Sequence, residues 1–224
     1  MDTPSEPTPK AIVQRIHEKA DWEASSMLKD VRFNFTCDLP FEQILEMRKT
    51  RRVFDPVSLR ETRAFIKHLF SPHHVGQKAR FGQLRKAFIS AGALHPIDVV
   101  ILSGPEVDEE PILFDDRRRR FVTLPVLDPI GLQSAIHRAN EIQPLADGHL
   151  LLFAGDGRRV ANSYESAESL LWRDAGAALQ TCALAAQAYK YAFCPLGLLG
   201  GAALEALGPP HTDYVALGLS VFGR

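Results

Sequence analysis

The stretch Asp174–Gly201 reads DAGAALQTCALAAQAYKYAFCPLGLLGG, and the expectations for the fold start from it. Leu171, Ala175, Ala178, Leu179, Cys182, Ala185, Ala186 and Tyr189 recur at spacings of three and four, with small residues between them. That pattern predicts a buried helix packed closely against another helix or another subunit. Lys190 and Tyr191 follow its end, and Pro195 stops any helix from continuing. Gly197, Gly200 and Gly201 then free the backbone to approach a flat, rigid group. Two readings of Lys190 and Tyr191 stand. They are a catalytic edge beside a glycine-rich loop, or a helix C-terminus whose lysine snorkels to water. Spacing alone favours the second.

The chain has 224 residues, room for one large domain or a domain with an extension. Hydrophobic residues make up 46% and charged residues 24%, which suits a folded chain with a sizeable core. A formal net charge of -1 gives no global attraction to nucleic acid or to an anionic membrane. Cys37, Cys182 and Cys194 form no CxxC pair, so neither disulfides nor structural zinc are expected, and a reducing cytoplasm fits. His73 and His74 lack a third ligand at metal-binding spacing, so no metal site is expected. MDTPSEPTPK does not read as a signal peptide, and no stretch approaches the ~20 apolar residues of a membrane-spanning helix.

Met1 to about Pro9 reads as a disordered tail. Lys10–Leu28 reads as an amphipathic helix with Ile12, Val13, Ile16, Ala20 and Trp22 roughly on one side. VRFNFTC (Val31–Cys37) predicts a short strand with Val31, Phe33 and Phe35 on one face, or an extended arm over a partner subunit. Residues 1–40 are thus an N-terminal extension to a domain spanning 41–224. Helices are expected at Phe41–Lys49 and Leu59–Phe70, the second with Ser58 as N-cap and Glu61 at the capping-box position. Val53–Pro56 is an extended turn between them. The preceding RKTRR (Arg48–Arg52) would suit a phosphate, through arginine forks, a lysine charge and a threonine hydroxyl. A solvated charge run is the commoner meaning of such a cluster.

Ser90–Ala93 is a small-residue loop, closed by Leu94-His95-Pro96, that can offer backbone N–H groups to a ligand. His95 reads as a hydrogen-bonded structural histidine. Ile97–Leu102 and His149–Ala154 are expected as buried strands, with GDGRR (Gly155–Arg159) a turn after the second. Ile112–Phe114 and Phe121–Leu124 predict a hairpin whose arginine-rich tip faces solvent or docks an acidic partner, and Ile130–Glu141 a helix. The tail DYVALGLSVFGR predicts a final strand with Val215, Leu217, Leu219 and Val221 on one face. The order of elements predicts an α+β fold with a mainly antiparallel sheet flanked by helices.

Three separated segments resemble the nitroreductase-like flavoproteins, and within them the SagB-type dehydrogenases. RKTRRVF (Arg48–Phe54) is similar to an Arg-x-Ser-x-Arg/Lys-x-Phe motif, and SAGALHPID (Ser90–Asp98) to PSAGALHPIE, with Ile89 in place of the proline. The third is the long helix followed by CPLGLLGG (Cys194–Gly201). The resemblance implies bound FMN in an intertwined homodimer. Arg48, Lys49 and Thr50 would meet the phosphate and ribityl chain, and Arg52 the pyrimidine side of the ring. Ser90, Gly92 and Leu94 would line the cofactor, with Pro195, Leu199 and Gly200 along the flavin edge. Ala93 departs from the pattern, standing where many nitroreductases carry an amide.

Lys190-Tyr191 resembles the Leu-Lys-Tyr motif of dehydrogenases in thiazole/oxazole-modified microcin biosynthesis, with Tyr189 in place of the leucine. The implied reaction oxidises peptide azolines, made by a cyclodehydratase, to azoles. One proton and one hydride must leave the ring, and a desolvated lysine can take the proton. The resemblance therefore implies Lys190 as base, Tyr191 as its partner, and a precursor peptide and cyclodehydratase as partners. Two other readings stand beside it: an NAD(P)H-dependent FMN reductase of nitro compounds or quinones, and a non-catalytic scaffold in a peptide-modifying complex.

Overall fold

The computed structural model describes residues 6–10, 21–32, 34–75, 84–104, 107 and 110–224. In chain order these form β1 (Thr8–Pro9), β2 (Ser26–Met27), α1 (Phe41–Met47), α2 (Leu59–Phe70), β3 (His74–Val75) and β4 (Leu84–Arg85). A 3-10 turn (Ala91–Ala93), β5 (Ile97–Ser103), β6 (Ile112–Asp115), β7 (Arg120–Thr123), α3 (Pro129–Ile142) and β8 (His149–Asp156) follow. The chain ends with α4 (Gly157–Ala161), β9 (Tyr164–Glu165), α5 (Glu168–Ala188), β10 (Ala192–Pro195), α6 (Gly201–Ala206) and β11 (Tyr214–Gly223).

Seven strands pair antiparallel in the order β10-β11-β8-β5-β6-β7-β2, so the architecture is the expected α+β. β8 is buried along its whole length and lies between β5 and β11, which is why its run of apolar residues shows no alternation. Side chains from α2 and α5, among them Phe65, Phe70, Leu171 and Cys182, fill one face of the sheet. α3 and α6 cover the other through Leu132, Ala139, Ala203 and Leu204. α2 keeps the predicted bounds and both halves of its capping box: Ser58 Oγ accepts from the Glu61 backbone N–H, and the Glu61 carboxylate accepts from the Ser58 N–H.

Four expectations are corrected. Residues 11–20 of the predicted N-terminal helix lie outside the described residues, but residues 21–28 are not helical. Trp22 is buried instead, its Nε1–H donating to Asp98 at 3.0 Å and its ring edge-on to Tyr214, while β2 pairs with β7. These tertiary ties override a weak helical period. Val31–Cys37 forms no strand at its described positions, and Phe33 lies outside them. Side chains of α2 take the carbonyls a neighbouring strand would need: Arg63 donates to Lys29, Lys67 to Val31 and Arg60 to Arg32. GDGRR is not a turn, because β8 runs on through Asp156, whose carboxylate accepts from the Arg159 N–H and caps α4. The single face predicted for β11 is broken by a bulge between Ala216 and Gly218. Val215 and Leu217 face α5, whereas Leu219 and Val221 face the opposite layer, because one extra residue reverses the alternation.

Smaller differences concern the ends of elements. α1 stops at Met47 rather than Lys49, and Thr8–Pro9 of the expected tail pairs with β9. In α5, Leu171, Ala175, Ala178 and Cys182 are buried, while Trp172 and Gly176 on its other flank are exposed. Among the described residues no helix is long and apolar enough to cross a membrane.

Candidate active site at the β10 edge of the sheet

Lys190 and Tyr191 connect α5 to β10, at the end of the sheet where β11 finishes. Ala192 pairs with Gly223, and Asp55 and Arg224 exchange backbone hydrogen bonds at 2.6 and 3.2 Å. Tyr191 is buried against Phe65 and Phe222, and its hydroxyl donates to Glu61 Oε1 at 3.1 Å. Arg224 donates to the same Glu61 oxygen at 2.7 Å. Glu61 Oε2 meanwhile accepts from the N–H and hydroxyl of Ser58 at 3.1 and 2.8 Å. One carboxylate thus caps α2 with one oxygen and fixes Tyr191 and Arg224 with the other. Burial alone would raise the Glu61 carboxyl, but the Ser58, Tyr191 and Arg224 donors outweigh it and hold it below the ordinary value. Burial pushes the Tyr191 phenol up, ahead of the opposing Arg224 charge, so it remains a hydroxyl donor.

The backbone at Lys190 is unusual. The Tyr191 N–H bonds back to the Ala186 carbonyl at 2.8 Å and the Lys190 N–H to Gln187 at 3.4 Å, the Schellman pattern of a helix C-terminus. Its central residue must be left-handed, and Lys190 has φ of 60°. Glycine is the usual occupant, since a side chain there costs about 1 kcal/mol or more. Lys190 is exposed in the single chain, so apolar surroundings for its amine are not provided by this chain alone. It borders a cavity of about 270 Å³ together with Asn34, Phe35, Tyr189, Tyr191 and Arg224. The Phe35 ring lies 4.8 Å from that of Tyr189 and walls the cavity.

The other predicted residues divide between two places. Arg52 lies beside β10: its carbonyl accepts from Gln143 at 2.7 Å, and its charge opposes the burial that raises the Cys194 thiol. Arg48 is half-buried, and Lys49, Thr50 and Arg52 are exposed. Among the described residues no carboxylate pairs with Arg48, Lys49, Arg51 or Arg52. Pro195 closes β10 and is exposed, as is Leu199. Gly200 has φ of 90°, and a Cβ there would meet Leu152 and Leu219 at 2.8 Å, whereas Gly197 and Gly201 have nothing within 4 Å. The loop after β10 therefore presents open backbone.

Ser90, Gly92 and Leu94 sit elsewhere. Their loop precedes β5, whose Ile97 pairs with Gly155, itself paired with Val215 at the opposite end of β11. Asp174 near the start of α5 anchors it, accepting from the Ser90 hydroxyl and from the Ala91 N–H at 3.1 Å. Gly92, Ala93 and His95 have φ of 57°, 53° and 48°, a run of left-handed residues that turns the loop tightly. Lys190 is sixteen residues further along the helix, roughly 24 Å at about 1.5 Å per residue. No single ring system touches both places on one chain.

Sequence reasoning missed Glu61 as more than a cap, Arg224 as a clamp on Tyr191, and Phe35 as a wall. The last was read as part of one face of a strand, and its ring neighbours were not legible.

No protein-family model matches the sequence, and no curated protein is similar to it in sequence. Solved structures are similar in fold. A provisional nitroreductase of Ralstonia eutropha superposes with a TM-score of 0.60 at 15% identity, over 99% of this chain and 98% of its own. The fold is nitroreductase-like. The E. coli microcin synthetase McbBCD complex with truncated pro-MccB17 bound is also similar, with a TM-score of 0.57, 15% identity, and coverage of 88% of this chain and 78% of that one. A provisional nitroreductase of Exiguobacterium sibiricum solved in complex with FMN gives 0.52 at 12% identity, over 85% and 90%. The nitroreductase-like chain shares backbone architecture with all three.

Proposed function

We propose that this chain is an FMN-dependent dehydrogenase that oxidises thiazolines or oxazolines in a ribosomally made peptide to the corresponding azoles. The observation that carries the reading is Lys190, a lysine kept in a backbone position that favours glycine, beside a cavity and a clamped tyrosine. The likeness to the microcin synthetase complex, which holds a peptide, supports it. The residues present fit FMN. A phosphate would meet the cations of Arg48–Arg52, which pair with no carboxylate among the described residues, and the open backbone around Gly197 and Gly201 would lie along a flat ring.

FMN supplies a hydride acceptor when bound. The chain's own part is to place the azoline and remove its proton. Lys190 takes the proton from the α-carbon of the azoline, which leaves as the hydride departs from the neighbouring ring carbon. Tyr191, its own proton committed to Glu61, positions the ring rather than relaying the proton. A homodimer would bring the Ser90 loop of one copy to the Lys190 edge of the other, and the exposed flank of α5 offers a surface for that contact. Delivery of azolines by a cyclodehydratase in the same complex, in the cytoplasm, completes the reading.

The second reading is an NAD(P)H-dependent FMN reductase of small acceptors, favoured by the near-complete overlap with the Ralstonia eutropha protein. The visible spectrum under anaerobic NADPH separates them. A flavin spectrum that persists under NADPH and bleaches with azoline peptide is expected. Prompt bleaching by NADPH would favour the reductase, and a colourless protein that refuses FMN would leave only a scaffold.

A further inference from the structure

Sharing Asn34 and Phe35 with the cavity at Lys190 is a second, open cavity of about 360 Å³, bordered by Arg32, Lys67, His68, Ser71, His73 and Arg119. Among the described residues it is lined by no acidic side chain. Lys67 is engaged by Asp30, but Arg32 and Arg119 pair with no carboxylate among the described residues. Ser71 is only 4% exposed, and among the described residues its hydroxyl has no hydrogen-bond partner. A buried hydroxyl normally finds a partner, so an unpartnered one bordering a cationic cavity points to an acceptor that comes from outside.

The two cavities are neighbours. Phe35 and Asn34 border both, and the Phe35 ring stands 4.8 Å from that of Tyr189 and 5.0 Å from that of His68. His68 Nε2 and the Tyr189 hydroxyl are 3.1 Å apart. An extended peptide advances about 3.3 Å per residue, so a ring at Lys190 places a side chain two or three residues away in the second cavity.

We propose that this cavity is a carboxylate subsite, which takes an aspartate or glutamate two or three residues from the azoline and so selects acidic peptides. This rests on the peptide-oxidising reading above. The Ser71 hydroxyl donates to one carboxylate oxygen, and Arg32 and Arg119 supply charge and further donors from the rim.

The test uses the full chain loaded with FMN and two fluorescent azoline peptides that differ only by Glu against Gln three residues from the ring. Anisotropy should show the acidic peptide bound about tenfold more tightly at low salt. Arg32→Ala with Arg119→Ala should remove that preference and leave the Gln peptide unaffected. Ser71→Ala should weaken the acidic peptide about threefold without lowering the melting temperature, because it deletes a hydroxyl that no described residue uses. Equal binding of the two peptides, or a preference that survives the double variant, overturns the subsite. Loss of FMN from the double variant also overturns it, by making these arginines phosphate ligands. An arginine-dependent preference without azoline turnover upholds the subsite and overturns the dehydrogenase reading instead.

Discussion

Lys190→Gly is expected to slow azoline oxidation at least about 100-fold, the usual scale for losing a general base, while making the protein more stable. The two effects come from different atoms. The amine is what the reaction uses, and the backbone at φ of 60° is what the fold must tolerate. Glycine relieves the left-handed strain and keeps both Schellman hydrogen bonds, for a gain of about 1 kcal/mol. In a chain of this size that raises the melting temperature by about 2–4 °C. Lys190→Ala provides the control, since it deletes the amine and retains the strained backbone. Both variants should retain FMN and lose turnover, and only the glycine should melt later. Parent-rate oxidation by either variant would refute the catalytic assignment. A glycine variant that melts with the parent would refute the argument from strain.

Glu61→Gln is expected to destabilise the fold by about 2 kcal/mol near neutral pH, by weakening a capping box and a charge-assisted contact together. An amide has one acceptor oxygen, so it can serve the Ser58 side or the Tyr191–Arg224 side but not both. The pH dependence has a definite sign. The folded-state value of Glu61 lies below its ordinary 4.5, so between the two the unfolded chain binds more protons than the folded one. Its contribution is complete above the ordinary value and is lost as pH falls through the folded one. Urea denaturation at a series of pH values should show the gap between parent and variant closing below about pH 4.5. A gap constant down to pH 2 would mean that the ionised carboxylate is not what stabilises this corner.

The sequence revealed α2 and its cap because both are local: Ser58 and Glu61 lie three residues apart, and periodicity marks the helix between turn residues. β5, β6, β7, β8 and β11 were legible for the same reason, whereas β2 and β10, at the two edges of the sheet, were not. What escaped was set by distance along the chain. The oxygen of Glu61 that holds the site reaches partners 130 and 163 residues away, and no spacing rule connects them. The extra residue in β11 is invisible because Val215, Leu217, Leu219 and Val221 alternate perfectly in sequence while the register slips beneath them. Val31–Cys37 looked like a strand because its alternation is real, but α2 had already taken the carbonyls that a ladder would use. Of the predicted site residues, Lys190, Tyr191, Arg52 and Pro195 share one edge, whereas Ser90, Gly92 and Leu94 belong to the other end of the molecule.

That separation turns α5 into a rod with a different half-site at each tip. In the symmetric pair proposed above, each complete site would draw one half from each copy. A chain damaged only at Ser90 and a chain damaged only at Lys190 would each be dead with its own kind. Mixed together, the two broken halves, one from each partner, fall in the same site, and the other site is left whole. Inactive versions of this protein would therefore fall into two groups that rescue each other, and the dividing line between them would be the midpoint of a single helix.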